Sequence, residues 1–325
     1  MPDEIHARPL GVAITALIAA TLCGCTAAAP SPAPVDVALP GSPTLRSLIE
    51  AEPEHPVFDV VQETTDFDGD HAEVVSYESG GLQVQAVIRR PPSGAANSPA
   101  IVFVHGDVDP EDYSGLTAYD GLADEFVSRG YVVVMPDLRN HADSDDDPSW
   151  ATDVDVGSTL DVINAVQATA ADGMVDPDRI ALMGHSHGGG VALNVAVTAP
   201  DAAAAIVAAA PVSPTPWENI ERHGAGSPYF DAIVAAHGTP EESPAFWRDV
   251  SASTFVDRAS APLLIVHGQA DDIIPLAWSE GLEAAWTAAG KDARFVPLTD
   301  ADHMFEPSPE LMIDAVAAFL AESMP

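Results

Sequence analysis

From residue 73 onward, short runs rich in Val, Ile and Ala alternate with longer stretches of helical spacing. The runs "EVVSYES" and "LQVQAVIRR" alternate polar with apolar positions, which predicts an antiparallel pair with one face buried. Six further runs, "AIVFVHG", "YVVVMPD", "RIALMGHS", "AAIVAAAP", "PLLIVHG" and "ARFVPL", are almost continuously apolar. That is the pattern of strands covered on both faces. Helical segments are predicted over 118–128, 159–169, 189–198, 276–289 and 309–321. Strand and helix in alternation predict an α/β fold, a mostly parallel sheet with helices on both sides.

Two stretches fall outside this rhythm. "TLRSLIEAEPEHPVFDVVQETTDFDGD", residues 44–70, predicts a short helix packed on the body. Residues 211–256 carry Trp217, Tyr229, Phe230, Phe246 and Trp247 and are long for a simple connection. They predict a small insertion that caps the sheet edge.

The N-terminus has a different pattern. "LGVAITALIAATLCGC" is too short to span a bilayer comfortably but suits the core of a signal peptide. Its last four residues, Leu22 to Cys25, resemble the bacterial lipobox, although Asp3 and Glu4 stand where a cationic start is usual. The resulting expectation is a signal peptide over 1–24, a lipidated Cys25, a Pro/Ala-rich tether over 25–45 and one folded domain over 46–325. The protein would be exported and anchored at the cell surface or in the periplasm, touching the membrane only through the lipid on Cys25. With Cys23 removed by cleavage, no cysteine pair would remain, so disulfides have no part in the expected fold.

Charge narrows the partners. Fifty Asp and Glu against twelve Lys and Arg give a net charge of -38, and Lys291 is the lone lysine. Such a surface repels phosphate backbones and anionic headgroups, so nucleic acid is not expected as a partner. The 47% hydrophobic content of the 325 residues is ample for a buried core.

The chemistry centres on "LMGHSHGGG". A strand precedes it, a helix follows, and Gly184-His185-Ser186-His187-Gly188 forms the turn between them. This is the G-x-S-x-G elbow, in which small residues let strand and helix approach while the serine is thrust out at the sheet edge. A serine hydroxyl is a weak nucleophile and needs a histidine base oriented by an acid. "QADDIIP" after one later strand offers Asp271 and Asp272, and "TDADHMF" after the next offers His303. Spacing does not separate the two aspartates; Asp300 and Asp302 are weaker rivals, being next to the histidine itself. Donors for an oxyanion are expected from the backbone N–H groups of His187 and Asp107. A metal held by His185 and His187 would require further ligands, and the two side chains of an elbow diverge. The acidic run "HADSDDDP" lacks the glycine and closing glutamate of a calcium loop, and the glycines of 188–190 match no phosphate-binding pattern. No metal or cofactor is called for.

Taken together, "VFVHGD", "GYVVVMPDLRNHADSD", "MVDPDRIALMGHSHGGG", "STFVDRASAPLLIVHGQADDIIP" and "DADHMF" resemble the α/β-hydrolases. More narrowly, they resemble the prolyl oligopeptidase catalytic domain and the dienelactone hydrolase-like group. The resemblance covers roughly residues 73–325 and implies an α/β-hydrolase fold. It also implies that the acid is the aspartate of H-G-x-x-D, which is Asp271 here, completing a triad with Ser186 and His303. The sequence departs from the group in three ways: no propeller domain precedes the hydrolase, the nucleophile is serine rather than the dienelactone hydrolases' cysteine, and Asn140 and Ala142 stand where the family has glycines. The implied activity is hydrolysis of carboxylic esters through an acyl-enzyme, on a small-molecule ester or a short peptide. Trp217 and Phe230 are candidates for the substrate pocket. The alternatives are a serine peptidase of aminopeptidase or acyl-peptidase type, and a non-catalytic binding module on the same fold, against which the intact Ser, Asp and His argue.

Overall fold

A computed structural model of the protein describes residues 41–325, apart from positions 67, 68, 93, 95, 111 and 112. The expected signal peptide, Cys25 and most of the tether lie outside the described residues. The described part begins with α1 (Leu45–Glu50), capped by Thr44, whose hydroxyl accepts the Ser47 N–H while the Ser47 side chain receives the Thr44 N–H. Leu45 of α1 is fully buried, so the helix docks on the body.

Among the described residues, nine strands form one sheet: β1 (Asp59–Thr65), β2 (His71–Ser79), β3 (Leu82–Arg89), β4 (Ser98–Val104), β5 (Val132–Pro136), β6 (Val175–His185), β7 (Ala205–Ala209), β8 (Leu263–Gly268) and β9 (Ala293–Leu298). Their order is β1-β2-β3-β5-β4-β6-β7-β8-β9. The β1-β2-β3-β5 pairings are antiparallel and the remainder, from β5 through β4 to β9, are parallel. The helices are α2 (Asp120–Ser128), α3 (Val156–Ala171), α4 (His187–Thr198), α5 (Pro216–Gly224), α6 (Pro228–His237), α7 (Pro244–Asp249), α8 (Leu276–Ala288) and α9 (Pro309–Ser323).

Burial explains the continuous apolar runs. Along β4, Val102 and Val104 join a core that includes Val162 and Val166 of α3, Leu193 of α4 and Trp286 of α8. Their neighbours Ile101 and Phe103 join the opposite core, with Phe126 of α2 and Val316 and Phe319 of α9. Alternate residues therefore serve different layers, and neither face can be polar. β1 was not foreseen as a strand. It is an edge strand whose residues are almost all exposed, Val60 and Val61 at 59% and 55%, so backbone pairing with β2 holds it and no apolar alternation marks it.

Two features of the architecture prepare a site. The chain runs from β4 outward to β5 on one side, then returns to β6 on the other, so the strand order reverses beside β4. In open sheets of this kind, ligands bind outside the carboxyl ends of the strands at the reversal. The loop after β5 is then held to the body by buried charge. The Asp161 carboxylate accepts from Arg139 N, Nε and Nη2 at 2.9, 2.9 and 2.7 Å and from the Ser79 hydroxyl at 2.6 Å. Both side chains of the pair are buried, and removing one charge from a buried pair leaves the other uncompensated. Asp161→Asn is expected to lower the unfolding free energy by roughly 3 kcal/mol in urea titration; a loss within a few tenths of wild type would show that Asp147, the second partner of Arg139, suffices.

Candidate active site

Ser186 sits between β6 and α4 with φ 55 and ψ −117, a conformation unfavourable for any residue with a side chain. Its backbone is clamped: the N–H donates to Ala209 O at 2.9 Å, and its carbonyl accepts from Gly190 and Val212, each at 3.2 Å. The flanking glycines are required sterically. A Cβ on Gly184 would meet Gly188 O at 2.0 Å, and one on Gly188 would meet Val104 O at 2.2 Å. The same crowding recurs after β8, where a Cβ on Gly268 would meet Ala301 O at 2.2 Å. The loop carrying His303 thus packs directly on the end of β8.

Asp271 follows that strand end and turns inward, whereas Asp272 is exposed. The Asp271 Oδ1 accepts the N–H groups of Ile273 and Ile274 at 2.9 and 2.8 Å, and Oδ2 accepts from His303 Nδ1 at 2.7 Å. Because a carboxylate only accepts, His303 carries its proton on Nδ1 and its Nε2 is left as a base. Burial opposes the charge on Asp271, but the bonds from His267, His303 and Ile274 outweigh it and hold its pKa well below the carboxylate range. Asp302 is occupied elsewhere: its Oδ1 accepts from Met304 N and Glu306 N, closing its own loop.

Ser186 and His303 line one cavity of about 760 Å3. Asp107 and His187 line it too. His187 opens α4, where the first N–H groups have no partner inside the helix and the dipole favours negative charge. The Asp107 side chain is exposed, which relieves the repulsion its carboxylate would exert on an oxyanion. The two elbow histidines have separate partners. His187 Nε2 meets Asp155 Oδ1 at 2.9 Å; burial disfavours its charge, yet Asp155, with Asp107 and Asp153, raises its pKa above the ordinary value. His185 turns the other way. Its Nε2–H donates to the His303 carbonyl at 2.9 Å, so its Nδ1 accepts from the Tyr119 hydroxyl at 2.9 Å. Burial lowers its pKa to about 4, which keeps it neutral. The same Tyr119 oxygen accepts the Gly106 N–H at 3.1 Å. One chain of hydrogen bonds therefore joins the loop after β4, the elbow and the His303 loop.

The walls come largely from residues not named as pocket candidates in the sequence. Between β5 and α3, His141, Trp150, Asp153 and Asp155 face the cavity. Burial raises Asp153 to about 6, with Asp155 adding to the effect. The acidic run at 141–148 is used structurally: Asp145 accepts from Gln83 N and Asp147 pairs with Arg139. From the 211–256 segment, Pro216, Asn219, Ile220 and His223 line the cavity, one stripe of α5 at helical spacing. Trp217 and Phe230 do not line it, which corrects the pocket assignment. Trp217 is one residue off the α5 stripe, and in α6 it is Tyr229, not its neighbour Phe230, that faces the cavity. The two rings instead pack on each other, centroids 5.8 Å apart, and against the main core. Among the described residues, ligating atoms cluster at Glu63-His71-Glu73 and at Asp66-Asp70-Asp124, and neither group lines the cavity.

The model of the prolyl oligopeptidase family matches residues 119–324, most of the chain. The chain belongs to that family. As a member of the prolyl oligopeptidase family it is a serine hydrolase, an esterase or a peptidase. Dipeptidyl aminopeptidase BIII of Pseudoxanthomonas mexicana is 27% identical over 70% of this chain, which spans 33% of that relative's length. Dipeptidyl peptidase 4 of Porphyromonas gingivalis superposes with a TM-score of 0.66 at 22% identity, over 78% of this chain and 36% of its own. Acetyl xylan esterase 1 of Thermoanaerobacterium superposes with a TM-score of 0.64 at 18% identity, over 86% and 92% respectively. The chain thus covers about a third of these peptidase relatives and nearly all of the esterase.

The bond network also makes a testable demand within the family fold. Tyr119→Phe removes the hydroxyl that both accepts from Gly106 and donates to His185, with little change in volume. Hydrolysis by this variant is expected to lose about tenfold in kcat with KM nearly unchanged. A rise in KM alone would assign Tyr119 to binding instead.

Proposed function

We propose that the protein hydrolyses carboxylic esters through a Ser-His-Asp triad of Ser186, His303 and Asp271. The observation that carries this reading is the shared cavity of Ser186 and His303, with the buried Asp271 carboxylate 2.7 Å behind His303 Nδ1. Ser186 Oγ attacks the ester carbonyl as His303 Nε2 takes its proton, and the backbone N–H groups of His187 and Asp107 hold the oxyanion. The tetrahedral intermediate collapses, the alcohol leaves with the proton from His303, and an acyl-enzyme remains. Water, deprotonated by His303, then releases the acid and restores the serine. Asp271 stays ionised throughout, its donors holding its pKa well below the carboxylate range.

Ester preference is supported by the cavity's shape and rim. Trp150, Tyr229 and Ile273 are exposed, largely apolar side chains that line the cavity, and the volume accommodates an acyl group together with its alcohol. Residues 211–256 act as a cap over this opening. A peptidase reading is favoured by a different observation: Asp107, Asp109, Asp153 and Asp155 all line the cavity and suit a substrate with a free amino group.

Two experiments follow. A fluorophosphonate probe is expected to label wild-type protein and not Ser186→Ala, and matched ester and amide panels are expected to show much faster ester turnover. Absence of label on the folded protein would end the enzymatic proposal, while comparable rates on aminoacyl arylamides would favour the peptidase. We also propose that Cys25 is lipidated and anchors the exported protein, on the strength of the apolar leader that precedes it. Cys25→Ala is then expected to move the protein from the membrane to the soluble fraction, and an unchanged membrane fraction would count against lipidation.

A further inference from the structure

Resting on the triad reading above, we infer that His267 is a fourth, positioning member of the catalytic array, held by Ser279, which tempers the Asp271 carboxylate and thereby sets the pH at which His303 works. The argument starts from acceptor sites. The Oδ2 of Asp271, besides receiving the His303 Nδ1–H, receives a bond from His267 Nε2 at 2.9 Å. With two N–H groups on Oδ1, the carboxylate has four donors, which is its full capacity.

The tautomer of His267 then follows. Its Nε2 faces an oxygen that cannot donate, so Nε2 carries the proton. Its Nδ1 lies 2.7 Å from Ser279 Oγ, whose hydroxyl supplies the matching proton to the neutral ring. Both residues are fully buried. Ser279, Leu282 and Trp286 are the buried stripe of α8, so a hydroxyl occupies a position that packing alone would give to an apolar side chain. Ser279 O–H thus donates to His267 and His267 N–H to Asp271, while His303 N–H donates to the same carboxylate oxygen from the other side.

Such a donor has two effects on the base. It fixes the carboxylate rotamer, keeping Oδ2 aimed at His303. It also draws negative charge from the oxygen that stabilises the His303 imidazolium. Other groups facing His303 are His185 of β6, whose ring centroid is 4.8 Å away, and His223 of α5, which senses both His303 and Asp107. Within its own loop Asp302 is committed to two backbone N–H groups. None of these contacts Oδ2 of Asp271, so His267 is the group through which the carboxylate's strength is adjusted.

The sign of the effect is defined. Without the His267 donor, Asp271 stabilises the imidazolium more strongly, the base form of His303 appears at higher pH, and the acid limb of kcat/KM moves up. The test compares wild type, His267→Leu and His267→Gln on an activated ester. The leucine is expected to shift the acid limb upward by about half a pH unit or more and to reduce kcat, and the glutamine, whose amide N–H reaches the place of Nε2–H, is expected to restore the wild-type limb. A folded, fluorophosphonate-labelled leucine variant with an unmoved limb would overturn the inference while leaving the triad standing; wild-type protein that takes no label would instead remove the triad reading beneath it. If the leucine variant does not fold, imidazole nitrogen NMR on wild type decides: His267 is expected to keep its proton on Nε2 with Nδ1 bare across the pH range in which His303 titrates. A proton on Nδ1 with Nε2 bare, or titration of His267 together with His303, would refute it.

Discussion

The site depends on how closely backbone segments approach at the carboxyl edge of the sheet. Gly188 lies against the carbonyl of Val104, Gly184 against that of Gly188, and Gly268 against that of Ala301. At each contact a Cβ would stand 2.0 to 2.2 Å from an oxygen, so a side chain would force the segments apart by more than an ångström. That is the scale on which orientation of reacting groups is lost. The closeness brings the elbow beside the Gly106-Asp107 loop and brings the His303 loop onto the end of β8. Strain at Ser186 is tolerated because three backbone hydrogen bonds from β7, α4 and Val212 over-determine it.

Once the segments are this close, short-range donors govern the electrostatics. The molecule carries a net charge of -38, yet Asp271 is kept ionised in the interior. Exposed charges are screened within about 8–10 Å at physiological salt, whereas four N–H groups in direct contact are not. Asp153 shows the contrasting case: it accepts from the N–H groups of Val156 and Gly157, but burial beside Asp155 raises it to about 6. Two inward-facing aspartates thus differ because one is surrounded by donors and the other stands beside a second carboxylate. Asp155 in turn meets His187 and raises its pKa, so the carboxylate favours a charged imidazole beside the nucleophile.

What was legible in the sequence follows the same division. The parallel strands could be read because both faces of the sheet are buried, which leaves no polar position along them. β1 could not, since its side chains contact so little that pairing alone defines it. The elbow was readable because its glycines answer to local geometry. Tyr119 and His185 were not, because each acquires its role from a partner distant in the chain; His267 was not, because it sits inside a run that reads as ordinary core strand. For Trp217 and Phe230 the segment was chosen well and the phase was not: an error of one residue on a helix is a rotation of about 100°.

The loop after β5 shows how surroundings hold a conformation that its own residues disfavour. Leu138, Asn140 and Ala142 have φ of 65, 64 and 49, in the left-handed region where glycine is at ease and a Cβ is strained. The surroundings hold the backbone there. Asp145 exchanges bonds with Gln83 at the start of β3 through both its backbone N–H and its carboxylate, and Ser144 accepts from Gln85 N. Asn140 accepts from Asp147 N, and Arg139 is fixed by Asp161. Strain of this kind, on the order of 1 kcal/mol or more per residue, persists only where neighbours leave no alternative. In return the loop presents His141 to the cavity, so the ion pair of Arg139 with Asp161 supports the site's wall as well as the fold.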